Sequence, residues 1–402
     1  MKILFLLSIG FDRQGPSVHL IQSIIRACLK RGHKVHIILR NTGGKNSDVP
    51  EEFALNMNFT YDVIKTKQVA KSNFIFRYID EVKYSYKAKN IYKNLKQIDV
   101  AFVQSTTVTF FQTRLLKKIL RCPILYNVQD IFPQNLMYIG SLKMNSLKYK
   151  LMNYLQKKGY DYAERIVTIS PDMLETLVKI GVNRKKLSYI YNWSYSDEEI
   201  DIKCDDNEFI KKIKMDEEKL NVIYAGNIGR MQNVEIIISA AKLLCTKKDI
   251  HFYIIGDGVY KDKLVSCCRE NKNITFLPLQ PSEMAEQIYS AADVNIIPLA
   301  KGIINTALPS KTATCLRVKK SVVFCIGKTS EFARIVSDIP GVYVINSDKE
   351  KELAELIYKL YKKKNEKQNR ELSGTFIERF SSKVNPFKYV DVLEEISNFN
   401  VK

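Results

Sequence analysis

VIYAGNIGRMQNVE (Val222–Glu235) contains the patterns of an apolar strand, a glycine-rich turn and the start of a helix, in that order. Gly226 and Gly229 allow backbone N–H groups to come close to a ligand, and the N-terminus of the following helix carries a partial positive charge. Arg230 adds a fixed positive charge to the same turn. The stretch therefore predicts a seat for a diphosphate, while a strand–turn–helix unit alone is also typical of any doubly wound sheet.

The same alternation of strand and helix extends over the whole chain. Continuous apolar runs, rather than alternating ones, predict strands that are buried on both faces, and therefore parallel sheets flanked by helices. The predicted strands are 3–9, 34–39, 58–64, 99–104, 123–129, 165–170 and 186–192, followed by 221–226, 251–256, 274–279, 294–299, 321–327 and 341–346.

These strands form two series that a polar segment separates. We predict an α/β protein of two Rossmann-like, doubly wound domains that face each other across a cleft, residues 1–193 and residues 220–383. Residues 194–219 are charged and predict a linker, with room for a short helix. The C-terminal segment 384–402 predicts an amphipathic helix that packs back on the first domain.

The composition limits the partners and the compartment. The 402 residues include 63 Lys and Arg against 43 Asp and Glu, a formal net charge of +20. This surplus favours nucleic acid, a nucleotide or an acidic lipid surface as partner, although a lysine-rich surface alone would also produce it. No apolar run approaches the roughly 20 residues of a membrane-spanning helix, and the first run, which resembles a signal sequence, is interpreted as the first strand.

The eight cysteines form no CxxC pair, and no histidine stands at zinc spacing. The sequence therefore predicts a reduced, cytosolic protein without a structural metal site. Cys267 and Cys268 are predicted to lie on the surface of a helix rather than to form a redox pair. Four cysteines in apolar runs predict core positions: Cys28, Cys122, Cys315 and Cys325.

Further turns in the second half suit a nucleotide. Gly256 begins a Gly-Asp-Gly turn after one strand, and Leu279 follows the next, where backbone groups can face a base edge; such turns are also common without a ligand. The segment Ala307–Thr312 opens a helix, with Ser310 as the expected cap. Lys311 then lies where the helix dipole disfavours a cation, which indicates either an anionic ligand or a solvated lysine.

In the first half, polar residues stand at the mouth of a buried strand. Gln129 and Asp130 are predicted to contact the acceptor or a sugar, with Asp130 accepting from a sugar hydroxyl or else capping the next turn. His19 lies in the first turn of a helix predicted over Ser17–Lys30 and either reaches the cleft or is an ordinary polar residue. The remaining histidines are predicted to be structural: His33, His36 and His251.

Two segments of the first half are rich in both lysine and aromatic or apolar residues. They are residues 65–96 and residues 142–158. Lysines at headgroup level with aromatic side chains at the interface favour adsorption to an anionic membrane. The alternative is that the aromatic side chains pack inward and the lysines are solvated.

Taken together, several of these motifs resemble the large retaining GT-B glycosyltransferase group, family four. The similarity is greatest to the branch that builds O-antigen and capsule repeat units, including N-acetyl-L-fucosamine transferases. The motifs that carry it are GFDRQGPS (10–17), YNVQDIFPQNL (126–136), YNW (191–193), YAGNIGRMQNVE (224–235), IIGDG (254–258) and ALPSKTATCL (307–316).

The resemblance assigns roles to residues that match the family motifs. It implies that the C-terminal domain holds the donor diphosphate, with Lys311 beside the phosphates, and that the N-terminal domain binds the acceptor. Asp130 matches the acidic residue of the strand-end motif, and Gln129 stands where many relatives have histidine. The residues implied at the donor are Gly15, Gly226, Asn227, Gly229, Arg230, Gly256, Leu279, Lys311, Thr312 and Thr314.

The chain departs from the family at a pair of glutamates. Their positions fall at Thr306 and Thr314, neither of which is acidic, and Glu331 is only a loose substitute. The ribose and donor-sugar contacts of the family therefore do not transfer directly to this sequence.

The resemblance implies a hexosyltransferase that uses a UDP-sugar, such as UDP-N-acetylfucosamine, and a polyprenyl-diphosphate-linked acceptor. Arg230, Lys311 and the turn amides would stabilise charge on the leaving diphosphate, and Asp130 would orient a hydroxyl. No DxD triplet is present, so we expect no metal or other cofactor. We expect a cytoplasmic protein at the inner face of the bacterial plasma membrane. The alternatives are a nucleotide-sugar epimerase of the same fold, an inactive relative and a nucleic-acid-binding protein, although no nucleic-acid module is present.

Overall fold

The computed structural model describes residues 1–11, 16–41, 49–66, 74–364 and 374–398. By its internal contacts the chain divides into two units. The first comprises residues 1–192 and 382–402, and the second comprises residues 193–381. Each unit is described by itself.

The first unit is built on a seven-stranded sheet in which every neighbouring pair is parallel, in the order β3-β2-β1-β4-β5-β6-β7. All seven predicted strands are confirmed, and the central strands β4 and β5 are buried along their whole length. The strands are β1 (Lys2–Leu6), β2 (Lys34–Asn41), β3 (Phe59–Lys65), β4 (Val100–Gln104), β5 (Ile124–Asn127), β6 (Arg165–Thr168) and β7 (Leu187–Tyr189).

Helices connect these strands. The first begins one residue before the predicted start and is followed by Gly32 at φ +78°. The described helices are α1 (Pro16–Lys30), α2 (Glu51–Ala54), α3 (Phe74–Asn94), α4 (Thr109–Leu120), α5 (Gln134–Tyr138), α6 (Leu147–Asp161) and α7 (Pro171–Lys179).

The second unit has a six-stranded parallel sheet in the order β10-β9-β8-β11-β12-β13. All six predicted strands are confirmed: β8 (Leu220–Ala225), β9 (Ile250–Ile255), β10 (Ile274–Leu277), β11 (Val294–Pro298), β12 (Ser321–Cys325) and β13 (Val342–Ile345). Its described helices are α8 (Glu208–Ile213), α9 (Glu235–Leu243), α10 (Lys261–Cys267), α11 (Ala285–Ala291), α12 (Thr312–Arg317), α13 (Glu331–Ser337), α14 (Glu350–Lys362) and α15 (Gly374–Phe380).

The polar segment between the two series packs within the second unit. Buried Arg317 donates to the carbonyl oxygen of Glu198 and the hydroxyl of Ser194, both at 2.6 Å. Phe209 and Ile210 of α8 are buried as well. A few apolar residues within a charged sequence thus suffice to attach the segment.

The last helix, α16 (Asn385–Asn398), packs against α1 of the first unit. Arg31, just after α1, forms salt bridges with Asp391 and Glu394, and Glu394 also contacts His33. Four cysteines lie in the core, as predicted: Cys28, Cys122, Cys315 and Cys325. The prediction for Cys268 is wrong, because this side chain packs into the second core while Cys267 is exposed.

Candidate functional site

The glycine turns after β8 and β9 lie side by side at the carboxyl edge of the second sheet. Gly226 has φ +149°, and a Cβ atom at Gly256 would approach the Gly226 carbonyl oxygen to 1.9 Å. A Cβ atom at Gly258 would come within 2.4 Å of the Ile228 carbonyl oxygen. Only glycine fits these contacts, so two turns that are 30 residues apart in sequence form one surface of exposed backbone.

Lys311 lies against the first of these turns. Its Nζ atom donates to the Ala225 carbonyl oxygen at 2.6 Å and lies 4.0 Å from the centroid of the Tyr224 ring. A Cβ atom at Gly226 would come within 2.7 Å of the same Nζ atom. Burial lowers the pKa of Lys311 to about 8. The lysine is therefore not a solvated surface residue.

The prediction that Ser310 caps the helix is wrong. Helix α12 begins at Thr312, with Lys311 at the N-cap position and no hydrogen bond from its side chain to the helix. The long side chain instead extends to the end of β8, whose Ala225 supplies the carbonyl oxygen. The sequence pattern places Lys311 only in a helix, but its side chain contacts the glycine turn.

Two more cations lie on this surface. Exposed Arg230 stands 5.5 Å from the ring centroid of Tyr260, and no carboxylate of the described residues pairs with it. Lys261 donates from its Nζ atom to the Gly256 carbonyl oxygen at 3.1 Å. Sequence reasoning missed Lys261; its position in the first turn of α10, directly after the Gly-Asp-Gly turn, is the signal that marks it.

The turn itself is fixed by hydrogen bonds. The Tyr224 hydroxyl donates to the carbonyl oxygen of Asn227 at 2.5 Å, and the Asn227 amide donates to Gln232 Oε1 at 3.0 Å. Gly229 is buried and precedes a 3₁₀ turn, Arg230–Gln232. Helix α9 follows and begins at Glu235.

The residues at the family's glutamate positions provide no carboxylate. Thr306 is fully buried and donates to the carbonyl oxygen of Ile303, which is a structural contact. Thr312 is 2% exposed, and its hydroxyl has no hydrogen-bond partner among the described residues, whereas Thr314 is half-buried. Glu331 forms a salt bridge with Arg334. Leu279, beyond the end of β10, is exposed: its relative accessibility is 65%.

In the first unit, Gln129 is held at both ends of its amide. Its Nε2 atom donates to Asn127 Oδ1 at 3.1 Å, and its Oε1 atom accepts from Asn192 at 2.8 Å. The hydroxyl of Tyr389 on α16 also donates to Asn127 Oδ1, at 3.1 Å. The Gln129 side chain thus connects Asn127, at the end of β5, to Asn192, which follows β7.

Asp130 follows this network at the carboxyl edge of the sheet, and its side chain is accessible to solvent. Surrounding protein nevertheless removes part of its hydration and raises the pKa of the carboxyl group to about 6. A carboxylate with this pKa can accept a hydrogen bond or a proton near neutral pH.

The other site residues predicted in the first unit are His19 and Gly15. His19 on α1 is half-buried, and its carbonyl oxygen accepts a hydrogen bond from Ser23. Gly15 lies outside the described residues. Hydrogen bonds from His36 and His251 to threonines of neighbouring strands fit the predicted structural roles.

In the described ranges no three His, Cys, Asp or Glu side chains are placed to hold a metal ion, and no helix is long and apolar enough to cross a membrane.

Two family models match the chain. Residues 17–193 match "Glycosyltransferase Family 4", and residues 219–363 match "Glycosyl transferases group 1". Together they cover most of the sequence.

Two curated relatives match more than half of the chain. The "Probable glycosyltransferase WbjE" of Pseudomonas aeruginosa is 31% identical over 52% of this chain and 53% of its own. The "Putative colanic acid biosynthesis glycosyl transferase WcaI" of Escherichia coli is 23% identical over 58% of each chain. The chain thus spans little more than half the length of these relatives.

A solved structure supports the fold over nearly the full length. The crystal structure of Anabaena Alr3699/HepE in complex with UDP has a TM-score of 0.67 at 15% identity and covers 98% of this chain and 100% of that chain. With two parallel sheets of Rossmann type, this likeness confirms the predicted GT-B fold class.

Proposed function

We propose that this chain, whose two halves match models of glycosyltransferases, is a GT-B glycosyltransferase that transfers a sugar with retention from a UDP-sugar to a polyprenyl-diphosphate-linked acceptor. The donor would carry an N-acetylated amino sugar such as N-acetylfucosamine, and the product would serve O-antigen or capsule synthesis. The observation that carries the proposal is the position of Lys311 against the glycine turn of Gly226.

The turn matches the electrostatic need of the reaction. When the bond between sugar and diphosphate breaks, negative charge develops on the leaving diphosphate, and cations placed beforehand lower the barrier. Lys311, Arg230 and Lys261 supply that charge beside exposed backbone of the two glycine turns. On binding, the Lys311 ammonium would exchange the Ala225 carbonyl oxygen for a phosphate oxygen.

UDP as the donor nucleotide rests on similarity. The Anabaena protein with the same fold was crystallised with UDP and with UDP-glucose. In this chain Thr312 and Thr314 stand close to Lys311 in sequence, and Thr314 is half-buried whereas the Thr312 side chain is buried. We expect no cofactor, because the three cations can balance the diphosphate charge, so transfer is expected to continue in EDTA.

On the acceptor side we propose that Asp130 orients the reacting hydroxyl. Its accessible carboxylate stands at the carboxyl edge, where ligands of parallel sheets bind. Gln129 is better suited to position Asp130 than to contact the sugar, because both ends of its amide are already engaged.

A location at the inner face of the bacterial plasma membrane is supported by α6. Leu147, Leu151 and Tyr154 are all exposed and share one face of this helix, and Leu147 is 84% exposed. Lys148 and Lys150 are also exposed, as anionic headgroups would require. The inward-packing alternative holds for part of α3, where Tyr84 and Tyr92 are buried.

The first experiment is a thermal shift assay of the full chain with UDP, GDP, ADP, dTDP and a DNA control. Selective stabilisation by UDP, lost in Arg230→Ala and Lys311→Ala but kept in Lys248→Ala, is the expected result. Lys248 is a matched control because it is exposed and precedes β9, at the opposite edge of the same sheet.

Transfer is then assayed with UDP-N-acetylfucosamine and a prenyl-diphosphate-linked saccharide. If the UDP-sugar is converted to an isomer when no acceptor is present, the result would favour an epimerase over a transferase. Stabilisation by DNA alone would favour the nucleic-acid-binding alternative, and no response to any nucleotide would favour an inactive relative.

A further inference from the structure

A groove lies in the first unit between the end of β3 and helix α3. Its volume is about 530 Å³. Five of its described lining residues follow one another at helical spacing along one face of α3. The lining residues are Lys65, Thr66, Phe76, Ile79, Asp80, Lys83 and Lys87.

The frame of the groove is fixed by Arg40 at the end of β2. The Arg40 guanidinium donates to the Thr66 hydroxyl at 3.0 Å and forms a salt bridge with Asp80. The Lys87 ammonium donates to the carbonyl oxygen of Lys65 at 3.0 Å. These contacts connect the strand ends to the helix, so the groove is a built feature of the sheet edge.

The charges of the lining are unbalanced. Asp80 is the one carboxylate among the described lining residues, and Arg40 already neutralises it. Lys65, Lys83 and Lys87 form no salt bridge with any described residue. Three ammonium groups around one groove attract an anion that carries more than one charge.

Apolar side chains stand directly beside these lysines. Phe76 is 62% exposed and Ile79 is 43% exposed. A groove that combines three ammonium groups with two accessible hydrophobic side chains fits a ligand with a multiply charged head and a hydrocarbon tail. A diphosphate joined to an isoprenoid has this chemistry, whereas a nucleotide or a free sugar lacks the tail.

The groove and Asp130 share one edge of the sheet. All strands of this sheet are parallel, so the ends of β3 and β5 point the same way. Four interstrand steps separate β3 from β5, roughly 19 Å at about 4.8 Å a step. An acceptor that spans this edge would place its lipid end and its reacting sugar at different strands.

We propose that this groove binds the prenyl diphosphate of the acceptor, with Lys65, Lys83 and Lys87 around the diphosphate and Phe76 and Ile79 against the first isoprenoid units. The inference rests on the proposed function, since it names the acceptor subsite of that reaction. The end of β3 and helix α3 then bind one lipid in a defined groove rather than adsorb to a membrane through scattered charges.

The test is calorimetric titration of the full chain with farnesyl diphosphate in the presence of saturating UDP, which occupies the other diphosphate site. Farnesyl diphosphate is expected to bind more tightly than inorganic diphosphate, and farnesol not to bind. Lys83→Gln combined with Lys87→Gln removes two of the three ammonium groups and should weaken binding at least tenfold, the loss expected from one charge-assisted hydrogen bond. Lys93→Gln is the matched control, because Lys93 is exposed on the same helix outside the groove.

A second variant keeps the test valid if the double variant does not fold. Ile79→Glu changes an exposed residue and places a carboxylate against the first isoprenoid units, where a charge is unfavourable, so it should also weaken binding about tenfold. Equal affinity in wild type and variants would overturn the proposal, as would an equal loss in Lys93→Gln. Loss of binding to phosphatidylglycerol vesicles with unchanged farnesyl diphosphate affinity would overturn it in favour of a membrane-adsorbing surface.

The test distinguishes lipid diphosphate binding in the groove from UDP binding at the glycine turns. UDP titration of the double variant should match wild type, because the lysines of the groove and the glycine turns belong to different units. Failure of the wild-type chain to bind UDP would defeat the proposed function, whereas normal UDP binding without a groove effect would defeat only the acceptor subsite.

Discussion

The ammonium of Lys311 lies 4.0 Å from the centroid of the Tyr224 ring, 87 residues earlier in the chain. The hydroxyl of the same tyrosine donates to the Asn227 carbonyl oxygen in the glycine turn. Tyr224 therefore contacts both the cation and the turn that we assign to the donor diphosphate. A cation over an aromatic face is stabilised by about 0.5–2 kcal/mol, more when it is desolvated.

This relationship predicts a graded response to substitution at Tyr224. Tyr224→Phe keeps the ring below Lys311 and loses the hydrogen bond to Asn227, so the affinity for UDP should fall about fivefold. Tyr224→Leu also removes the ring and should weaken UDP further. Calorimetry measures both affinities, and urea unfolding separates the loss of stability that a smaller buried side chain causes. Wild-type affinity in Tyr224→Phe would show that the hydroxyl does not position the turn.

The lowered pKa of Lys311 predicts a pH dependence of donor binding. The group is charged below about pH 8 and increasingly neutral above it, and only the charged form attracts a diphosphate. UDP affinity should therefore fall as pH rises from about 7 to about 9.5, where the phosphates themselves are already ionised. Lys311→Met keeps most of the side chain without the charge, so its weaker affinity should not vary over this range. Parallel pH profiles for the two proteins would contradict the assignment.

The raised pKa of Asp130 predicts that replacing this residue stabilises the fold but lowers the activity. The folded state holds its pKa at about 6, above the ordinary 3.8, so the protein bears a penalty for the ionised carboxylate above pH 6. Well below the ordinary pKa of 3.8, at about pH 3, the carboxyl group is protonated in both the folded and the unfolded state, and the penalty is absent. Asp130→Asn should raise the Tm near pH 7.5, with the gain vanishing toward about pH 3, and should lower kcat about a hundredfold.

Asp161→Asn is the control for this experiment. Asp161 is exposed and lies 3.7 Å from Lys158, so its removal should change neither the Tm nor kcat appreciably. A lower Tm for Asp130→Asn near neutral pH would indicate that Asp130 stabilises the fold as a turn cap.

The sequence patterns predicted the strands far better than the contacts within the candidate sites. The inner strands of a parallel sheet are buried on both faces, so they appear in the sequence as continuous apolar runs, as β4 and β12 do. The partner of Lys311 is a backbone oxygen 86 residues away, which no local pattern specifies. The Ser310 cap was wrong for the same reason, since local helix rules do not include a distant carbonyl oxygen. Cys268 packs inward although its neighbour is exposed, because the end of α10 turns it toward the core.

Gln129 provides the last prediction, because its two possible roles differ in kinetics. Its amide joins Asn127 at the end of β5 to Asn192 beyond the end of β7, so we expect it to position the adjacent Asp130. Gln129→Glu keeps the acceptor for Asn192 and loses the donor to Asn127. It should lower kcat about tenfold through misplacement of Asp130, with the KM for the acceptor nearly unchanged.

A direct contact between Gln129 and the sugar would instead raise the KM for the acceptor at similar kcat. UDP affinity is the internal control, because Gln129 belongs to the first unit and the glycine turns to the second. Steady-state transfer kinetics with the acceptor varied at saturating UDP-sugar distinguish the two roles. The positioning role also predicts that Asn192→Ala, which removes the donor to Gln129 Oε1, lowers kcat in the same way.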